Sequence, residues 1–152
     1  MLKKSFTLLL GIFLLTSISA QDLTFSDIIH LHKKKDFVYI QNYLKQKDWE
    51  FIGIHRGNIH AWVHKTTDAM FHIHNLGASK QHVLYGTLDE ERFKSIVEKH
   101  IINSKDYEFE EVMTCEMGAE RALFSGKGLL IMVYQFMSRD LINVIEVRYD
   151  ED

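Results

Sequence analysis

The chain contains no proline and a single cysteine, Cys115, among its 152 residues. One thiol cannot close an internal disulfide, so packing has to supply the stability. Within Val112-Met113-Thr114-Cys115 the thiol reads as a small, buried strand residue rather than as a nucleophile. No Gly/Ser-rich or single-charge tract is present to serve as a flexible linker, which favours one compact unit.

Catalytic signatures are also missing. There is no HExxH, no GxSxG and no paired Cys/His ligand motif. Ser125-Gly126-Lys127-Gly128 has the tail of a phosphate loop, but Arg121 stands where the first glycine is required, so it reads as a turn. A non-enzymatic protein is the expectation.

Long apolar runs are absent except at the start. Lys3 and Lys4 precede an apolar run over residues 6–15, and Ser17, Ser19 and Ala20 follow it. That order is the order of a cleavable secretory leader covering residues 1–20. The run is about half the ~20 residues that a membrane-spanning helix needs. No cysteine lies near its end to take a lipid, so export to a periplasm or the cell exterior without an anchor is expected. Loss of Lys3 and Lys4 would leave 16 basic residues of the original 18 against 21 acidic ones, a net charge of −5. That balance argues against nucleic acid or an anionic membrane surface as partner.

At 46% hydrophobic and 12% aromatic, the chain has the apolar content of a folded domain, and a mature length near 130 residues suits a single core. Thr24 and Asp27 have the spacing of a helix start, with Phe25, Ile28 and Ile29 as its apolar face. Lys33-Lys34-Lys35 would end that helix, and Asp36 would cap a second one carrying Phe37, Ile40, Tyr43 and Leu44. The period then changes to that of strands, at 49–55, 59–65, 69–76 and 81–88, with turns between them. A third helix is predicted over 88–103, started by Thr87 and Glu90. Strands at 107–115, 120–125, 129–137 and 141–149 complete the chain, separated by Gly118, Gly126-Lys127-Gly128 and Ser138-Arg139-Asp140.

The order of helix then four strands thus occurs twice. Lys47-Asp48-Trp49-Glu50-Phe51 recurs as Lys105-Asp106-Tyr107-Glu108-Phe109, each time where a helix gives way to a strand. The fold class read from this is α+β: two tandem repeats, about 21–86 and 87–152, of helices followed by a four-stranded antiparallel meander. Helices would cover one face of the sheet, and the opposite faces would join into a continuous eight-stranded surface. In this architecture the chain resembles exported inhibitors of the β-lactamase inhibitory protein family. The resemblance implies a binding function and carries no matched functional residue.

Nine histidines are the chemical oddity, six of them at 55, 60, 64, 72, 74 and 82. Strand residues two apart share a face at about 6.6 Å, whereas residues four apart lie roughly 13 Å from each other. His72 and His74 therefore form a chelating pair, and His60 with His64 does not. If Ala61 and Val63 share the buried face with Phe71 and Ile73, residues 66–68 form a three-residue loop, with His60 opposite His74 and Trp62 opposite His72. His60, His72 and His74 would then converge on one ion, and three imidazoles suit zinc, copper or nickel. That metal site is the alternative reading; the main one makes His60, His64, His72 and His74 the polar residues of an outward sheet face. Trp62 would be the aromatic anchor of that face for a protein partner or small ligand. His30 and His32, two apart on a helix, do not face each other.

Overall fold

The computed structural model describes residues 22–114, 119–136 and 142–150. The leader at 1–20, Cys115 and the turns at Gly118 and Ser138-Arg139-Asp140 lie outside them.

Thr24 starts helix α1 (Phe25–His32) with a reciprocal capping box. Its hydroxyl accepts from the Asp27 N–H, while the Asp27 carboxylate accepts from the Thr24 N–H. Helix α2 (Phe37–Lys45) is capped by Asp36, whose carboxylate accepts from the Tyr39 N–H at 2.7 Å. This cap is exposed and involves no other element, so Asp36→Ala should lower stability by about 1 kcal/mol in urea unfolding.

Strands β1 (Trp49–His55), β2 (Ile59–His64), β3 (Met70–His74) and β4 (His82–Thr87) follow as an antiparallel meander. Helix α3 (Glu90–Val97) continues as a π-helical segment (Glu98–Ile102) rather than as the uniform helix expected over 88–103. Its cap is Asp89, which accepts from the Arg92 N–H at 3.0 Å. Thr87, expected in that role, is the last residue of β4 and is paired with Asn143, so the helix cannot begin there. The second meander comprises β5 (Glu108–Thr114), β6 (Ala119–Gly126), β7 (Leu129–Phe136) and β8 (Asn143–Tyr149). The β6–β7 connection has two residues, Lys127 and Gly128, both at positive φ (53° and 70°), the backbone of a tight hairpin turn.

The eight strands form one sheet in the order β1-β2-β3-β4-β8-β7-β6-β5. The halves therefore meet where β4 pairs antiparallel with β8, and β1 and β5 are the two edges. The repeat extends to local irregularity. A bulge interrupts β1 between Phe51 and Gly53, and another interrupts β5 between Phe109 and Glu111. Both bulges start at the phenylalanine that closes the repeated five-residue motif.

One face of the sheet packs on the helices. Phe25, Ile28 and Leu31 of α1 and Ile40 and Leu44 of α2 are buried with Phe71, Ile73, Val83, Tyr85, Ile145 and Val147. At the sheet centre the Tyr85 hydroxyl donates to Asp22 at 2.7 Å, and Arg92 reaches the same carboxylate at 3.1 Å and the Leu23 carbonyl at 2.9 Å. Asp22 is buried, and this contact ties the start of the described chain to β4 and α3.

Candidate functional site

Register decides which histidines share a surface. In the β2–β3 pair, His60 lies opposite Ile73, Ala61 opposite His72 and Trp62 opposite Phe71. This is one residue away from the expected register. The His64 N–H donates to the Ala69 carbonyl, so the loop has four residues, 65–68, and Asp68 takes a positive φ of 53° within it. The physical reason is that β2 carries apolar groups on both faces: the observed register places the Trp62 indole under the helices, while the small Ala61, on the opposite face, is buried as well.

A one-residue slip exchanges the faces. His60, Trp62 and His64 point into the helix-covered core, where Trp62 is 0% exposed. The His60 ring lies 5.6 Å from Phe37, and the His64 ring meets Trp49 edge-on at 5.3 Å. Buried His60 Nδ1 and His64 Nε2 have no hydrogen-bond partner among the described residues. These two histidines act as aromatic core members. Trp62 is therefore not an outward anchor, and His60 is separated by the sheet from His72 and His74. The three-imidazole zinc or copper site of the alternative reading is therefore not assembled from His60, His72 and His74. Among the described residues, no three His, Cys, Asp or Glu are placed to hold a metal ion.

The opposite face carries a different constellation. His72 lies opposite Leu84 and His74 opposite His82, so three imidazoles run along the middle of the first meander. The His74 and His82 rings are 4.4 Å apart and those of His72 and His74 are 6.5 Å apart. His82 Nε2 approaches Glu146 Oε1 at 3.7 Å across the β4–β8 seam. Glu146 is buried even on this open face. Its carboxylate accepts from the Tyr134 hydroxyl at 3.0 Å and from Arg148 Nε at 2.6 Å. The strip therefore crosses from the first half of the chain into the second.

Electrostatics keep the strip largely uncharged. Burial, reinforced by His82 and His72, pushes His74 down to about 4, with Glu146 opposing the shift. Burial also lowers His72, aided by His55. Burial lowers His82 too, against the pull of Glu146. Tyr134 is raised, by burial first and then by Glu146. At neutral pH the surface thus presents neutral imidazoles and a neutral phenol around one carboxylate, which Arg148 balances. At the end of the strip is a hollow of about 420 Å³, lined by Lys80, Gln81, His82, Arg148 and Tyr149 among others.

Reading the sequence missed Glu146, Tyr134, Arg148 and the pairing of His82. The available signal was Glu146 itself, a lone acid in the otherwise apolar run Val144-Ile145-Glu146-Val147. A charge at such a place calls for partners on neighbouring strands. Compared with known proteins, the chain matches no family model, no curated protein and no solved structure. The likeness to exported inhibitors accordingly stays one of element order.

Proposed function

We propose that the protein is an exported, non-enzymatic binding module, and that the open face of its eight-stranded sheet engages a protein partner. The observation that carries this reading is the strip of half-buried His72, His74, His82 and Tyr134 around buried Glu146, on the face of the sheet that the core helices do not pack against. Neutral imidazoles and a phenol offer donors and acceptors with little desolvation cost, and a partner must cover a sheet rather than enter a cleft. The seam location supports the same reading, because a surface that spans both halves gives the duplication a use. Export rests on the leader at residues 1–20 and the acidic balance of the chain beyond residue 20.

The test is capture from the secreted and envelope fractions of the native cell, using the purified mature chain. Wild type and Val38→Glu, which alters an exposed position on α2, should recover the same proteins. The double variant His72→Gln/His74→Gln, which adds no charge to this half-buried strip, should lose them while keeping a cooperative urea transition. Partners that survive the double change and vanish with Val38→Glu would put the binding surface on the helical side. Amino-terminal sequencing of the exported product should begin at Gln21, and an intact Met1 terminus would refute processing.

A further inference from the structure

The two edges of the sheet are not equivalent. In the first half, Phe37 of α2 covers the edge phenylalanine Phe51, with ring centroids 5.2 Å apart. Its counterpart in the second half, Phe109, meets Phe124 edge-on at 5.7 Å and remains 59% exposed. Among the described residues the second half has a single helical run, which stays over the sheet centre, where Arg92 reaches Tyr85 and His100 stacks on Phe25. Every residue of β5 is exposed, Val112 to 57%.

The charge on this edge is one-sided. Phe109 and Val112 lie opposite Phe124 and Ala122 and so share the helical side of the sheet. Glu108 and Glu111 lie opposite Ser125 and Leu123 on the other side, and the bulge adds Glu110, whose carboxylate accepts from the Ser125 hydroxyl. Among the described residues β5 pairs with β6 alone, so it presents a free backbone edge, with Phe109 and Val112 on one side, the glutamates and Met113 on the other, and no lysine or arginine of its own. Edge β1 carries one acid, Glu50, and its phenylalanine is already covered.

We propose that β5 takes up an extended partner segment by strand addition, and that this segment alternates apolar residues with lysine or arginine. Backbone hydrogen bonds along β5 supply affinity. The partner's apolar side chains would cover Phe109 and Val112, and its basic ones would meet Glu108 and Glu111. A second copy of the chain is the wrong occupant, because β5 against β5 sets the same three glutamates against each other. This surface is separate from the histidine strip, so the two readings stand or fall independently.

The test uses the full mature protein with two fluorescent peptides of about eight residues, one alternating lysine and valine and the other alternating glutamate and valine. The Lys/Val peptide should bind at least about tenfold more tightly. In its presence, amides within residues 108–114 should exchange with solvent at least about tenfold more slowly. Glu108→Lys/Glu111→Lys should reverse the peptide preference. The exchange measurement on wild type does not depend on that variant folding. Equal affinity for both peptides, an unchanged preference in a folded charge-reversed variant, or protection outside β5 would overturn the proposal. A concentration-dependent dimer that protects β5 without peptide would also overturn it, in favour of self-pairing.

Discussion

Trp62→Ala is expected to remove about 3–5 kcal/mol of folding stability, the range for truncating a fully buried large aromatic. Trp62 is packed at ring-centroid distances of 5.1 Å to Phe51, 6.1 Å to Phe71 and 6.2 Å to Phe37, so it joins β1, β3 and α2. Its indole N–H donates to Gln41 Oε1 at 2.8 Å, which anchors the same helix a second time. Alanine leaves a cavity that three elements would have to move to fill, and each is held elsewhere. Urea unfolding followed by circular dichroism measures the effect. An outward Trp62 would give a change within about 0.5 kcal/mol, so a small loss would refute the observed register. The variant also cannot report on partner binding, since any lost association would be confounded by lost structure.

That reassignment shows where sequence reasoning succeeded and where it stopped. Strand β1 was legible to the residue, and the starts of α1 and α2 were legible from Thr24 and Asp36, because caps and periodicity are local chemistry. The repeated motif around Trp49 and Tyr107 was legible too, and the matching bulges at Phe51 and Phe109 give it a structural counterpart. Facing was not legible in β2, where Ile59-His60-Ala61-Trp62-Val63-His64 has no clean alternation of apolar and polar residues. There the choice depends on what α2 offers, namely Phe37 and the Gln41 amide, and that is tertiary information. Nor could local patterns reveal that β4 pairs with β8. Glu146 therefore read as an oddity in a strand, although its partners His82, Tyr134 and Arg148 are spread over three strands. The site was half visible: the pair His72 and His74 was found, but it was assigned a third member from the wrong face.

Acid should destabilise the protein well above the range where carboxylates titrate, and His32 should account for about 3 kcal/mol of the loss. This last residue of α1 is 0% exposed. Its ring lies 4.4 Å from that of Tyr149, and its Nε2–H donates to the Gln81 carbonyl at 3.2 Å. Gln81 in turn donates to the carbonyls of His32 and Lys34 at 2.9 and 2.7 Å, so neither residue can shift to admit water without breaking the other's bonds. Burial holds the imidazole down to about 4 from its ordinary 6.5, helped by His82 and Lys33, while the Gln81 carbonyl opposes the shift. Below pH 6.5 the unfolded chain binds a proton here that the folded chain refuses. Stability is thus complete above that pH and falls by about 1.4 kcal/mol per pH unit until the folded group also titrates. His72, His74 and His82 add losses of the same sign from the open face, so the contribution of His32 has to be isolated by difference. His32→Phe keeps a ring against Tyr149 but cannot take a proton. Urea unfolding at several pH values between about 7.5 and 4.5 should find the variant about 1 kcal/mol less stable than wild type near neutrality, from the lost bond to Gln81. At the acid end it should be the more stable of the two. Parallel profiles would show that His32 gains its proton in the folded state as readily as in the unfolded one.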